Sequence, residues 1–87
     1  MNIKGGITSD GIQPDREIDA CGLMCPLPIL RARKALSEMK TKQVLLVYST
    51  DLGSKEDFSS FAEQTGNVLL ASGENEQGVY WYALKRK

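Results

Sequence analysis

The segment Cys25-Pro26-Leu27-Pro28 restricts the fold more than any other, because it marks where a strand-like stretch gives way to a helix. Proline suits the first position of a helix, since its ring presets a helical φ and its missing N–H would have no partner there. Pro26 is therefore the predicted first helical residue, with Cys25 as the N-cap. A residue before proline avoids the α region, so a helix start at Pro28 is the alternative.

A cysteine at this corner is a candidate nucleophile. The helix macrodipole favours a thiolate at the helix N-terminus, and the thiolate is the reactive form of cysteine. The activation predicted for Cys25 is partial, because Pro28 has no N–H to offer a capping sulfur. The sequence thus predicts a thiol of lowered pKa in a site that holds sulfur rather than one that runs fast acid–base chemistry. A small buried cysteine that precedes a helix is the alternative.

The composition restricts the available chemistry to that of sulfur. The 87 residues suffice for one small domain. The chain has two cysteines and no histidine, which excludes Cys/His dyads and Ser/His/Asp triads and leaves too few ligands for a zinc site, so no metal is expected. There is no G-x-G-x-x-G and no P-loop, so no nucleotide cofactor is predicted.

The charge balance argues against a polyanionic partner. Lys plus Arg and Asp plus Glu both number 11, so direct nucleic-acid binding is not expected, despite the basic segment Lys85-Arg86-Lys87. No apolar run approaches the roughly 20 residues of a membrane span. The N-terminal stretch has no continuous apolar segment of the kind found in secretory signals. We expect a cytoplasmic protein with reduced thiols and no membrane partner.

Hydrophobic periodicity predicts the element order βαβαββ. Residues 1–15, which are polar and glycine-rich, form a predicted flexible arm, and residues 16–87 form a single domain. The predicted strands span 16–21, 43–50, 68–72 and 79–84, and the predicted helices span 26–39 and 54–65. Ser54 followed by Asp57 approximates a capping box for the second helix, and Gly66 is its predicted stop.

The order of elements also predicts the layers. Two right-handed βαβ crossovers that step the same way across the sheet place both helices on one face. The predicted fold class is therefore α/β, in the form of an α+β two-layer sandwich whose other sheet face is uncovered. In the last strand Val79, Trp81 and Ala83 alternate with Tyr80, Tyr82 and Leu84, so the strand is apolar on both faces and one of these rows is a candidate partner surface. Ordinary half-exposed aromatic residues are the alternative.

With these features the chain resembles the TusA/SirA-like sulfur carrier family. The resemblance rests on the Cys25 motif preceded by Gly22-Leu23, on an apolar strand ending at Asp51, and on Asp57-Phe58 at the second helix. It covers roughly residues 17–86. It implies a βαβαββ domain with a mixed four-stranded sheet in the order 1-2-4-3 and both helices on one side.

The resemblance also implies a function. Cys25 would carry sulfur as a persulfide, with Pro26, Pro28 and Gly22 as supporting motif residues. A cysteine desulfurase or a rhodanese-like protein would donate the sulfur, and an acceptor sulfurtransferase would receive it, in tRNA thiolation or in sulfur oxidation. The chain would be a carrier within such a system, without a cofactor, rather than a stand-alone enzyme.

Two further features bear on partners and on redox chemistry. Arg31 and Lys34 lie three apart on the exposed face of the first predicted helix, where they would steer a partner with an acidic rim, unless that face is merely solvated.

Cys21 departs from the family pattern, in which a non-thiol residue is common. It would form a disulfide with Cys25 only if their Cα atoms came within about 7 Å. The alternative function is thus a thiol–disulfide redox or regulatory module, and the alternative role for Cys21 is that of an inert filler.

Overall fold

The computed structural model describes residues 13–87, and within them four strands form one sheet that carries two helices. The strands are β1 (Arg16–Ala20), β2 (Val44–Ser49), β3 (Val68–Glu74) and β4 (Tyr80–Lys85), and the helices are α1 (Leu27–Ser37) and α2 (Ser54–Thr65). The predicted order βαβαββ is confirmed. Residues 1–12 of the predicted flexible arm lie outside the described residues, and Asp15 exchanges backbone and side-chain hydrogen bonds with Val44.

The sheet has the order β1-β2-β4-β3, as the family resemblance implies. β1 runs parallel to β2, whereas β4 is antiparallel to both β2 and β3. The crossover through α1 makes the first pair parallel, and the short turn at Asn75 makes the last pair antiparallel. The carboxyl ends of β1 and β2 therefore meet at one edge of the sheet. The loops that lead into α1 and α2 both start from this edge.

Both helices lie on one face of the sheet, and the main core lies between the two layers. Alternate residues of β2 face opposite sides, so Val47 joins the helix-side cluster while its neighbour Tyr48 joins a smaller one on the other face. α1 contributes Ala32, which is fully buried. α2 contributes Phe58, also fully buried, whose ring stacks on that of Tyr82 with centroids 4.6 Å apart. The predicted two-layer sandwich is confirmed.

The helix-free face of the sheet carries the second apolar cluster. Its buried members are Leu46, Tyr48 and Ala83, and the partly buried residues packed against them are Cys21, Val44, Val79 and Trp81. Trp81 lies on this face, whereas Tyr82 is 1% exposed in the main core. The two rows predicted for β4 thus lie on opposite faces of the sheet, with Val79, Trp81 and Ala83 on the helix-free face. Docking of a partner on that row stays a prediction.

β3 is longer than predicted because Gly73, which indicated a loop, pairs with Trp81 inside the ladder. A Cβ added at Gly73 would lie 2.8 Å from the indole ring, so only a glycine lets the ring lie flat across the strand. α1 is shorter than predicted because the N–H groups of Glu38 and Met39 bond to carbonyls three residues back, which closes the last turn. Within residues 13–87, neither helix is long and apolar enough to cross a membrane.

Candidate functional site

The cysteine motif forms a turn that precedes α1. The N–H of Leu27 donates to the carbonyl of Met24 at 2.9 Å, and the Cys25–Pro26 peptide bond inside this turn is cis, which is the arrangement of a type VI turn. Pro26 is the N-cap, and its carbonyl accepts the first helical hydrogen bond, from Leu30, at 3.1 Å. The predicted helix start at Pro26 is therefore one residue early, and Cys25 lies outside the helix instead of capping it.

Pro28 is the second helical residue. Its missing N–H leaves nothing unsatisfied, since the first four N–H groups of a helix have no intrahelical partner. The ring is buried, whereas Cys25, Pro26 and Leu27 are exposed. Pro28 thus anchors the first turn to the core, and the thiol is displayed on the solvent side of this anchor.

Gly22 turns the chain from β1 toward the thiol. Its φ is +82°, in the left-handed region that favours glycine, and a Cβ placed there would meet nothing within 4 Å, so the requirement for glycine is conformational. Its N–H donates to Oγ1 of Thr50 at 2.8 Å. This hydrogen bond joins the loop after β1 to the loop after β2, and the two loops together form the site.

Two aspartates control the charge at Cys25. The Asp57 carboxylate accepts a hydrogen bond from the thiol, and this bond raises the pKa of Cys25 above its ordinary value. Desolvation and the negative charges of Asp57 and Asp51 raise the pKa further, because a thiolate beside a carboxylate is repelled. The predicted lowering of the pKa is therefore wrong. The thiol lies before the helix, and carboxylates from the neighbouring loop and helix oppose its ionisation.

The start of α2 explains why Asp57 faces the thiol. The N-cap is Gly53, without a side-chain cap, and Ser54 is the first helical residue. The Ser54 hydroxyl hydrogen-bonds to the buried Tyr82 hydroxyl, so the predicted capping box of Ser54 and Asp57 is wrong. Asp57 is not needed at the cap and reaches Cys25 instead.

Asp51 and Asp57 belong to the family pattern in the sequence, but neither is among the predicted site residues. A topological signal could have identified Asp51. It follows β2 directly, and β2 is parallel to β1, whose loop leads to Cys25. The carboxyl ends of parallel strands meet at one edge, which places side chains from both loops together.

The two cysteines are not joined by a disulfide. Cys21 packs against the apolar cluster of the helix-free face, and its N–H donates to Oδ1 of Asp19 at 3.0 Å. Cys25 is exposed before α1. The role of Cys21, as redox partner or as filler, stays a prediction.

Exposed apolar side chains are concentrated near the thiol. The described residues include six exposed large hydrophobic side chains, and four of them belong to the two loops at the site or to the first turn of α1. These four are Met24, Leu27, Leu30 and Leu52, and we call them the thiol-side apolar patch. Arg31 and Lys34 are exposed on α1, as predicted. Sequence reasoning overlooked the patch, although Leu27 and Leu30 lie off the buried stripe of the helix.

Comparison with known proteins identifies the family of this chain. The family model described as sulfurtransferase TusA matches residues 16–86, from the first residue of β1 to the residue after β4. The chain belongs to the TusA family. The sulfur carrier protein TusA of Allochromatium vinosum is 54% identical over 72 residues, which cover 83% of this chain and 93% of that protein.

A solved structure supports the same TusA assignment. The crystal structure of a SirA-like protein from Desulfitobacterium hafniense superposes with a TM-score of 0.73 at 31% sequence identity. The match covers 80% of this chain and 95% of that chain. The family resemblance and the fold predicted from the sequence are thus confirmed.

Asp57→Asn should make Cys25 more reactive at neutral pH. Because the carboxylate raises the thiol pKa, the wild-type thiolate forms only at a pH above the usual range, and removing the charge shifts its formation to lower pH. We expect the alkylation rate by iodoacetamide at pH 7 to rise about threefold for each unit of lowered pKa, because lower nucleophilicity offsets part of the tenfold gain in thiolate. The measurement is the pH–rate profile of alkylation.

Glu56→Gln is the matched control for this prediction. Glu56 lies next to Asp57 in the first turn of α2, and the substitution removes the same charge. It is not among the groups that act on the Cys25 thiol. A profile for Asp57→Asn that coincides with that of the wild type would contradict the assigned role of the carboxylate.

Proposed function

We propose that this chain is a sulfur carrier that accepts sulfane sulfur as a persulfide on Cys25 and relays it to an acceptor protein. The observation that carries the proposal is the exposed Cys25 thiol, displayed on the turn before α1 in a TusA-family domain. Cys25 loses its proton to solvent, and the thiolate attacks the outer sulfur of a donor persulfide. A new S–S bond forms on Cys25, and the donor leaves as a thiolate that takes up a proton. An acceptor thiolate then attacks the outer sulfur on Cys25. The bond between that sulfur and Cys25 breaks, and Cys25 leaves as a thiolate that takes up a proton.

The electrostatics of the site suit a carrier better than a fast catalyst. A thiol of high pKa is mostly protonated at neutral pH, which protects the unloaded carrier from oxidants and stray electrophiles. A thiolate of high pKa is also a poor leaving group, so the sulfur on Cys25 is released slowly to small nucleophiles. The Asp57 carboxylate thus supports retention of the cargo until a partner binds.

The proposed partners are proteins that carry reactive sulfur themselves. The donor is a cysteine desulfurase or a rhodanese-like protein, and the acceptor is a sulfurtransferase of tRNA thiolation or of sulfur oxidation. We assign the relay to the cytoplasm, where thiols are kept reduced.

The proposal is tested by loading the protein with sulfur. The chain is incubated with a cysteine desulfurase and cysteine, and its intact mass is measured before and after treatment with a reductant. We expect a gain of one sulfur atom that the reductant removes and that peptide mapping assigns to Cys25. No gain in mass, or a gain that maps to Cys21, would refute the proposal.

Reversing the charges of Arg31 and Lys34 should slow sulfur transfer without unfolding the domain, because both side chains are exposed. We expect Arg31→Glu with Lys34→Glu to lower the transfer rate about fivefold at low salt, since charged surfaces act mainly on association. The effect should shrink near physiological salt, where the Debye length is about 8 Å. Transfer rates from the desulfurase across a salt series provide the measurement.

Lys40→Glu with Lys42→Glu is the matched control. It changes the net charge equally in the loop that follows α1, at the far end of the helix from Cys25. Equal slowing by the two pairs would indicate that net charge matters and would rule out local steering. Unchanged transfer at every salt concentration would exclude Arg31 and Lys34 from docking.

A further inference from the structure

Large apolar side chains around the Cys25 thiol indicate a protein-binding surface. Met24 is 74% exposed and Leu52 is 85% exposed, on the two loops that meet at Cys25. Leu27 and Leu30 add the exposed face of the first turn of α1. Exposed hydrophobic surface of this kind is typical of interaction sites. The flexible thioether of Met24 also suits a surface that must fit a donor and an acceptor in turn.

The charges beside the thiol specify the chemistry of the partner. The carboxylates of Asp51 and Asp57 converge on Gly53, where an added Cβ would lie 3.5 Å from an Asp51 oxygen and 3.9 Å from an Asp57 oxygen. Within residues 13–87, neither carboxylate forms an ion pair with a lysine or an arginine. Two unpaired carboxylates next to a sulfur that must become a thiolate form a site that lacks a positive charge.

We propose, building on the proposed sulfur carrier function, that the thiol-side apolar patch docks a partner protein that places a lysine or arginine beside its own reacting sulfur. This cation pairs with Asp51 and Asp57 during the transfer. It satisfies the two carboxylates and stabilises the thiolate of Cys25 as the sulfur bond forms. Docking therefore activates the thiol, whereas the undocked carrier keeps it protonated.

Other occupants fit the surface less well. Among residues 13–87, no three side chains of the kinds that ligate metals are grouped to hold an ion. A second copy docked through the same patch about a two-fold axis would face one aspartate pair with the other, and like charges oppose such contact. Lys34 lies one helical turn beyond Leu30 on α1, so an acidic group of the partner that pairs with Lys34 would lie outside the contact made by its cation.

The test uses two peptides that differ only in charge. They are acetyl-Leu-Arg-Cys-Arg-Leu-amide and acetyl-Leu-Glu-Cys-Glu-Leu-amide, each activated as a mixed disulfide with thionitrobenzoate. Attack by Cys25 on the peptide sulfur forms a new disulfide and releases the coloured thiol, so its absorbance reports the rate. The protein carries Cys21→Ser so that only Cys25 reacts. Each rate is divided by the iodoacetamide rate of the same variant, which removes differences in intrinsic reactivity.

We expect the arginine peptide to react about tenfold faster than the glutamate peptide at low salt, with a ratio that falls as salt rises. The double variant Asp51→Asn, Asp57→Asn should lower this ratio of rates to about the value measured when free cysteine attacks the same two peptides. Glu63→Gln with Glu74→Gln, which removes two charges elsewhere, should leave the ratio unchanged. Leu52→Ser should slow both peptides and preserve the ratio.

Equal rates for the two peptides, or a ratio in the double asparagine variant that stays at the wild-type value, would overturn the proposal. Loading of Cys25 by glutathione persulfide, followed by intact mass, separates this outcome from failure of the carrier function. A protein that loads sulfur but shows no charge preference is a carrier with a different docking mode. A protein that does not load sulfur fails as a carrier whichever peptide it prefers.

Discussion

Replacement of Cys25 by serine should abolish sulfur loading completely. A serine hydroxyl has nearly the same shape as a thiol but cannot form a persulfide, and its oxygen is not a nucleophile without a general base. The side chain is exposed and lies outside the helix, so the substitution leaves the core unchanged. Intact mass after incubation with desulfurase and cysteine should show no added sulfur, while the thermal unfolding temperature stays at the wild-type value.

Cys21→Ser is the matched control, because it removes the other thiol of the chain. We expect this variant to load sulfur on Cys25 to the wild-type extent, since Cys21 packs on the helix-free face of the sheet. Undiminished loading of Cys25→Ser would contradict the assignment of the carrier residue. Rapid loss of sulfide from the loaded wild type, but not from Cys21→Ser, would indicate that Cys21 attacks the persulfide and would support the redox alternative.

The elements of the fold could be predicted because their signals are local. β2 is apolar on both faces, as a central strand must be when it lies between clusters on two sides. Gly66 ends α2 in the left-handed conformation that such a glycine predicts. The order of the strands is not a local property, and it came from the resemblance to the TusA/SirA-like family.

The raised pKa of the Cys25 thiol could not be predicted from the sequence, because it depends on residues far away in the chain. Cys25 and the helix that follows it in the sequence predict a lowered pKa, because the dipole favours a thiolate at a helix N-terminus. The carboxylates that raise the thiol pKa come after β2 in the chain, and the parallel pairing of β1 with β2 brings them to the thiol. The predicted capping box of Ser54 and Asp57 failed for the same reason, because the Ser54 hydroxyl bonds to a tyrosine 28 residues further along the chain.

Phe58→Ala should cause the largest loss of stability of any change considered for this domain. Phe58 is fully buried at the junction of α2 and the sheet, where it stacks on Tyr82 and meets the edge of Phe61 with ring centroids 6.5 Å apart. Truncation of a buried phenylalanine costs about 3–5 kcal/mol, out of a total of roughly 5–15 kcal/mol for a typical domain. Since 1 kcal/mol shifts the melting temperature of a domain this size by about 4–8 °C, we expect a fall of more than about 12 °C.

Thermal unfolding followed by circular dichroism measures this loss, and Phe61→Ala provides the comparison. Phe61 is 5% exposed and has the Arg33 guanidinium 5.8 Å from its ring centroid, so its site lies nearer to solvent and a cavity there can be relieved by water or by Arg33. We therefore expect Phe61→Ala to lower the stability less than Phe58→Ala does.

Because Phe58 adjoins Asp57 in α2, its loss should also loosen the carboxylate that holds the thiol proton. The alkylation profile of the folded Phe58→Ala variant should shift toward lower pH, as for Asp57→Asn. A variant that is destabilised but keeps the wild-type profile would show that the position of Asp57 does not depend on this packing.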